Sequence, residues 1–138
     1  MNTDIFKIYP DSIDSEAILS AASVIKAGGL VAFPTETVYG LGADATDKNA
    51  AKKIYAAKGR PSDNPLIIHI AAPEDAERYA HTSPIYYKLA KAFMPGPLTV
   101  IMPKKEIVPD EVTGGLDSVA VRCPSHPIAR ALIAASGV

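Results

Sequence analysis

Two cationic residues separated by a single residue, Lys58 and Arg60, form the most distinctive chemical pattern in the chain. Gly59 between them lets the backbone turn, and Pro61 and Pro65 restrict the path that follows. A preorganised ammonium and guanidinium suit a polyphosphate ligand, because Lys supplies a compact charge and Arg a planar fork of donors. The same residues at the end of a helix would also compensate its dipole on a solvated face. Taken alone, the segment leaves a phosphate site and a surface cap equally open.

A third cation, Arg122, closes the apolar run 119–121. A guanidinium at a strand end beside a buried face needs an anionic partner. That partner is either the carboxylate of a ligand or an internal carboxylate in a structural salt bridge, and the sequence favours neither. Thr35, Glu36 and Thr37 follow another buried strand, where binding loops are common, although a polar turn explains them as well.

Other motifs give little support for a nucleophile or a metal centre. His69 lies inside the apolar run 67–70, where we expect a hydrogen-bonded strand residue more often than a catalyst. The pair Cys123 and His126 lacks the second pair that a zinc site needs. Carboxylates are scattered, so a metal ion would depend on substrate oxygens. The pattern G-x-G-x-x-A at 40–45 fits a dinucleotide loop poorly, because its strand ends too early and its helix begins too late; we expect its glycines to allow tight turns.

The elements that must position these residues alternate between helices and strands. Apolar periodicity and capping residues predict five helices, which cover 15–27, 47–58, 74–80, 84–93 and 125–136 with Asp47 and Ser125 as caps. Short apolar runs predict strands at 30–33, 66–70, 98–102 and 119–122, and the segment 35–42 is interpreted as irregular or extended. This alternation indicates an α/β or α+β sheet with helices on its faces.

Length and composition limit the functional classes. The 138 residues suit one domain, 1–138, and 14 basic against 15 acidic residues imply neither a nucleic-acid nor a membrane partner. The basic stretch 48–60 lacks a series of stacking aromatic residues, so we interpret it as a solvated helix face rather than an RNA-binding surface. One cysteine suits a reducing, cytoplasmic compartment, and no apolar run is long enough to span a bilayer. Gly137 would end the last helix and Val138 would begin another strand, so we expect the domain to continue further.

Several ordered motifs resemble the signature of the YrdC-type threonylcarbamoyl-AMP synthases. They are PTETVYGLG at 34–42, KGRP at 58–61, NPLIIHI at 64–70, PGPLT at 95–99 and VAVRCP at 119–124, followed by His126 and Pro127. The resemblance covers residues 15 to 138 and implies a twisted, mixed, open α/β sheet with a concave, positively lined pocket. It also implies that L-threonine, bicarbonate and ATP are condensed to threonylcarbamoyl-AMP and pyrophosphate, and that the product serves the t6A37 modification of tRNA.

The resemblance further implies a set of site residues. Thr37, His69 and Arg122 would surround L-threonine, with Arg122 holding its carboxylate. Four residues would contact ATP, with the two cations facing its phosphates: Lys58, Arg60, Asn64 and Ser118. No protein nucleophile is needed, and Mg²⁺ would be carried by the ATP phosphates. Partners would include tRNA and the downstream threonylcarbamoyl transferase complex. In the family, a small-residue stretch that carries a Ser-x-Asn motif follows the region matched here, and that stretch is not part of these 138 residues.

Three alternatives remain open at the level of sequence. The chain could be a YrdC-like protein that binds RNA or nucleotide without synthase activity. It could be a carbamoyl-phosphate-handling domain of hydrogenase maturation, although such domains normally lie within much longer chains. It could also be a plain RNA-binding module that uses its basic stretch.

Overall fold

The computed structural model describes residues 2–138 of the chain. Its first two helices begin after aspartates that accept hydrogen bonds from free backbone N–H groups. Asp14 accepts from two N–H groups of the first turn, at 3.0 and 3.3 Å, and Asp47 does the same at 2.9 and 3.2 Å. Gly28 and Gly59 follow the ends of these helices with φ of 83° and 61°, the left-handed conformation that favours glycine. The predicted starts and ends of both helices are confirmed.

The described residues contain five α-helices, five strands and one 3-10 helix. The helices are α1 (Ser15–Lys26), α2 (Lys48–Lys58), α3 (Pro84–Phe93), α4 (Asp110–Thr113) and α5 (Pro127–Ser136), and the 3-10 helix is Pro73–Arg78. The strands are β1 (Val31–Pro34), β2 (Tyr39–Gly42), β3 (Ile67–His69), β4 (Thr99–Pro103) and β5 (Ser118–Arg122).

The strands are divided between two sheets. Strands β1 and β2 form an antiparallel hairpin in which Phe33 lies opposite Gly40. The second sheet has the order β3-β5-β4, with β3 parallel and β4 antiparallel to β5. Its register places His69 of β3 and Thr99 of β4 opposite Arg122 of β5. The predicted mixed α/β class is therefore confirmed, with the hairpin separate from the mixed sheet.

Each sheet has its own apolar core. The three-stranded sheet packs against the 3-10 helix, α3 and α4 through side chains that include Ile68, Tyr79, Tyr86, Val112 and Val121. The hairpin packs against α1 and α5 through the smaller cluster Ala22, Phe33, Ala129 and Leu132. Of the candidate residues, Thr37, His69 and Arg122 lie where the hairpin turn meets the three-stranded sheet.

The segment 35–42, expected to be irregular or extended, contains strand β2 at residues 39–42. Glycine in a strand weakens the pattern by which strands are recognised. The two glycines of this strand do not make tight turns. A Cβ at Gly42 would lie 2.6 Å from Cε1 of Phe33, and a Cβ at Gly40 would lie 3.3 Å from its Cζ. They make room for the aromatic ring of Phe33.

Two further elements differ from prediction. The helix expected at 74–80 is a 3-10 helix that ends at Arg78, and the short helix α4 was not expected. Four residues are too few to show an apolar period of 3.6.

The start of the last helix also needs correction. His126, rather than Ser125, is the N-cap of α5, and its Nδ1 accepts from the N–H of Ile128 at 3.2 Å. Ser125 instead donates its hydroxyl and its backbone N–H to the carboxylate of Glu36.

Candidate functional site

The site begins where β3 and β5 end together. These strands are parallel, so their carboxyl ends meet at one edge of the sheet, and the register places His69 beside Arg122. The turn between β1 and β2 brings Glu36 and Thr37 to the same edge. Residues from three separate segments of the chain therefore lie together, although Glu36 and Arg122 are 86 positions apart in sequence.

The guanidinium of Arg122 is held on several sides. Its Nε donates to the carbonyl of Gly96 at 3.3 Å, and its Nη2 donates to Oε1 of Glu36 at 2.5 Å. Nη1 and Nη2 both lie 3.4 Å from the hydroxyl oxygen of Thr37. Only 11% of the Arg122 side chain is exposed. The anionic partner expected for Arg122 is thus present within the chain, which is the salt bridge that the sequence had left open.

Glu36 divides its two carboxylate oxygens between two partners. Oε1 accepts from Arg122, whereas Oε2 accepts from the backbone N–H of Ser125 at 2.7 Å and from its hydroxyl at 2.6 Å. Partial burial opposes ionisation, but the hydrogen bonds from Ser125 and the charge of Arg122 outweigh it and lower the pKa of Glu36 to about 2. Glu36 is therefore a fixed carboxylate across the physiological pH range.

The turn that presents Glu36 and Thr37 is closed by Thr35. The Thr35 hydroxyl accepts from the N–H groups of Thr37 and Val38, at 3.3 and 3.2 Å, and its own N–H donates to the Val38 carbonyl at 3.2 Å. Threonine hydroxyls commonly stabilise turns by such bonds to the backbone two and three residues on. This local bonding fixes the position of the neighbouring Thr37 hydroxyl.

His69 lies between the sheet edge and the hairpin. Its ring meets the ring of Phe33 edge to face, with centroids 5.9 Å apart and an interplanar angle of 81°. Its Nδ1 lies 3.1 Å from the carbonyl oxygen of Ile67. Burial lowers the pKa of His69, and the charge of Arg122 lowers it further, so a neutral imidazole is favoured. When Nδ1 carries the proton toward Ile67, Nε2 is left as an acceptor.

A cavity of about 240 Å³ lies between the hairpin and the three-stranded sheet. Most of its wall is apolar and comes from β2, β3, α2 and α5. Lys58, Arg60 and His69 all contribute to its lining. Lys58 and Arg60, which the family resemblance assigns to phosphates, therefore share one cavity with His69, which it assigns to threonine. Thr37 and Arg122 are not in the lining of this cavity.

The cationic segment at the end of α2 contains polar groups that lack partners. Arg60 donates from Nη2 to the carbonyl of Pro65 at 3.0 Å, but its buried Nε has no hydrogen-bond partner among residues 2–138. Neither Lys58 nor Arg60 forms an ion pair with any carboxylate of these residues. Buried polar groups are normally satisfied, so this segment is suited to receiving an anion.

Of the remaining two predicted site residues, Asn64 directly precedes Pro65, whose carbonyl accepts from Arg60, and Ser118 lies at the far end of β5. Asn64 is exposed, and its backbone carbonyl accepts from the Tyr55 hydroxyl at 3.0 Å. Ser118 begins β5, opposite Pro103, and is roughly 13 Å from Arg122 at the other end of the strand. Neither residue lines the cavity.

Sequence reasoning did not single out Glu36, Ser125, Gly96 or Phe33 as parts of the site. From sequence, Glu36 belongs to a polar segment that suits either a binding loop or a turn, and Ser125 is predicted as a helix cap. The available signal was Arg122, whose guanidinium needs an anionic partner either from a ligand or from within the chain. Within residues 2–138, no group of three His, Cys, Asp or Glu side chains is arranged to hold a metal ion. None of the helices described there has the length and apolar character needed to span a bilayer.

Comparison with known proteins gives matches over most of the chain. The family model Sua5_yciO_yrdC, described as telomere recombination, matches residues 23–138. A threonylcarbamoyl-AMP synthase of Pyrococcus abyssi is 59% identical over 124 residues, which are 89% of this chain and 36% of the relative. A threonylcarbamoyl-AMP synthase of Bacillus subtilis is 51% identical over 129 residues, which are 92% of this chain and 37% of the relative.

A solved structure of a relative also matches most of the chain. The crystal structure of P. abyssi Sua5 complexed with L-threonine matches with a TM-score of 0.87 and 59% identity, covering 91% of this chain and 37% of that chain. The present chain thus spans little more than a third of the length of these relatives.

Proposed function

The chain belongs to the Sua5/YciO/YrdC family, as its motifs indicated, and we propose that it acts in the synthesis of L-threonylcarbamoyladenylate. The reaction condenses L-threonine, bicarbonate and ATP to threonylcarbamoyl-AMP, with release of pyrophosphate and water. The proposed place of the product is the t6A37 modification of tRNA, and the proposed next partner is the threonylcarbamoyl transferase complex. A cytoplasmic location goes with this proposal.

The observation that carries the proposal is the meeting of Thr37, His69 and Arg122 at one sheet edge. Arg122 supplies charged donors for a carboxylate, and Thr37 supplies a hydroxyl beside them. The two bonds to Thr37, at 3.4 Å, are the longest that Arg122 makes. We propose that the carboxylate of L-threonine replaces them. Arg122 would then exchange two long bonds to a neutral hydroxyl for bonds to a charged carboxylate.

The second part of the proposal places ATP phosphates on Lys58 and Arg60. These side chains line the cavity that His69 also lines, and the Nε of Arg60 has no described partner. The reaction joins an amino acid to a nucleotide, so a carboxylate site and a phosphate site must adjoin. Cations are needed at both, because they neutralise charge on the reacting groups. Asn64 and Ser118 are proposed to contact the nucleotide outside this cavity.

Mg²⁺ has its proposed place on the phosphates of ATP, as part of the substrate. The described residues offer no cluster of acidic or imidazole ligands for a resident ion. Two or three phosphate oxygens together with water suit Mg²⁺ better than scattered carboxylates. The protein's own contribution would be to orient the amine, the carboxylate and the phosphates, with no covalent intermediate on a side chain.

The proposal is tested by incubating the full chain with ATP, L-threonine and labelled bicarbonate. We expect pyrophosphate release that requires threonine and a labelled product that contains AMP. Release that is equal without threonine would contradict the proposal. Nucleotide binding without any turnover would instead indicate a family member that lacks synthase activity, and RNA binding with a steep dependence on salt would indicate an RNA-binding module.

A further inference from the structure

We infer that Glu36 is a positioning residue for substrate binding, which fixes Arg122 and the hairpin turn in the arrangement that receives the threonine carboxylate. This inference rests on the proposed function and adds a residue to its site. Glu36 acts through Arg122 and Thr37 and contacts no reacting atom.

The first support is the way in which Glu36 is anchored. Its Oε2 accepts two hydrogen bonds from Ser125, at 2.6 and 2.7 Å, and these bonds do not involve Arg122. Its Oε1 remains for the guanidinium at 2.5 Å. A counter-ion with no other partner could follow Arg122 wherever it moved, whereas Glu36 is fixed to the segment before α5. Arg122 is therefore oriented by Glu36 rather than merely neutralised.

The second support is the attachment of the hairpin. Strands β1 and β2 form a sheet of their own, and within residues 2–138 no strand pairing joins them to the three-stranded sheet. At the turn, side chains make the connection: Glu36 to Arg122 and Ser125, and Thr37 to Arg122. Loss of the Glu36 carboxylate would release the turn and increase the mobility of the Thr37 hydroxyl relative to the guanidinium.

The third support is the distribution of donors on Arg122. Gly96 and Glu36 accept the shorter bonds, at 3.3 and 2.5 Å, so the guanidinium cannot rotate without losing one of them. The donors that face Thr37 are thereby held in one orientation. A preorganised fork loses less conformational entropy when it binds a carboxylate.

One alternative makes the opposite prediction. If Glu36 were a competing anion that threonine must displace from Arg122, removal of the Glu36 charge would strengthen threonine binding. Positioning by Glu36 predicts weaker binding. The sign of the change in threonine KM therefore separates the two roles.

The decisive variant is Glu36→Gln, which keeps the side-chain size and removes the charge. In steady-state assays of the full chain we expect threonine KM to rise about tenfold or more, because one charge-assisted hydrogen bond is lost, while the KM for ATP stays unchanged. Ser125→Ala should give a smaller rise, because its N–H still donates to Oε2. The matched control is Glu106→Gln, an exposed carboxylate in no described ion pair. A threonine KM that is unchanged or lower in Glu36→Gln would overturn the inference.

A spectroscopic readout keeps this test separate from the proposed function. In a ¹⁵N NMR spectrum, the Nε–H of Arg122 should give a slowly exchanging signal that is assigned by its loss in Arg122→Lys. Glu36→Gln should make that exchange faster and Glu106→Gln should not. If the wild-type chain proves to need no threonine, the proposed function fails, and the NMR comparison still decides whether Glu36 orients Arg122. An unchanged Arg122 signal in Glu36→Gln would exclude this role.

Discussion

The two cationic regions of the candidate site differ in how their charges are satisfied. Arg122 donates to acceptors from two other segments, the hairpin turn and Gly96, and its carboxylate partner Glu36 is itself bonded to Ser125. Lys58 and Arg60 have no carboxylate partner among residues 2–138, and the Nε of Arg60 has no described partner at all. In the region around Arg122, the protein itself supplies the balancing carboxylate. In the region around Lys58 and Arg60, no described carboxylate balances the positive charge.

This difference follows the chemistry of the two proposed ligands. A single amino-acid carboxylate is small and is recognised by geometry, so an oriented fork of donors is useful. A triphosphate carries several charges and brings its own metal ion, so excess positive charge matters more than exact placement. We therefore expect substitutions in the first region to affect one substrate strongly, and substitutions in the second to affect the other substrate more gradually.

The largest expected effect comes from Arg122→Ala. Loss of the guanidinium should reduce kcat/KM for threonine by about a hundredfold and leave the KM for ATP nearly unchanged, because the carboxylate loses its charged donors. The measurement is the rate of threonine-dependent pyrophosphate release at varied threonine and fixed ATP. Arg130→Ala, on the exposed face of α5, serves as the control. Unfolding of Arg122→Ala at the assay temperature would show instead that the salt bridge serves the fold.

The hairpin offers a structural test of the same region. Gly42→Ala should lower the free energy of unfolding by about 1–3 kcal/mol, because the new Cβ would lie 2.6 Å from Cε1 of Phe33 and the buried ring must move. Gly40→Ala places its Cβ 3.3 Å from Cζ of the same ring and should cost less. Urea denaturation followed by circular dichroism measures both variants. Equal stabilities would contradict the role of Gly42 in accommodating Phe33.

The second cationic region is tested by Lys58→Ala. We expect the KM for ATP to rise about tenfold and the KM for threonine to change little, since one phosphate contact of several is lost. Lys52→Ala is the matched control, because it removes an exposed lysine from the same helix. Lys53 is unsuitable for that purpose, since its Nζ donates to the carbonyl of Gly28 at 2.8 Å. An equal loss of threonine and ATP binding would remove the distinction between the two regions.

The two cationic regions also differ in how much of each could be predicted from sequence. The segment from Lys58 to Pro61 is local, so its glycine, its prolines and its helix end could be located from neighbouring residues alone. The same is true of the helix cap Asp47. The bond between Glu36 and Arg122 joins positions 86 apart, and only the register of β3 on β5 and the path of the hairpin bring them together. Sequence predicted that Arg122 needs an anion, and the fold was needed to identify which one.

The smallest expected effect concerns acid stability. The pKa of Glu36 lies at about 2 in the folded chain, below its ordinary value of 4.5, so the ionised carboxylate stabilises the fold. This contribution is complete above pH 4.5 and is lost as the pH falls through about 2. The difference in free energy of unfolding between wild type and Glu36→Gln, measured with urea, should be constant from pH 7 to 5 and should shrink between pH 4 and 2. If wild type and Glu36→Gln still differ in free energy of unfolding at pH 2, the charge of the Glu36 carboxylate does not hold the hairpin to Arg122 and Ser125. The Arg122 region would then differ from the Lys58 region in packing and not in how its charge is balanced.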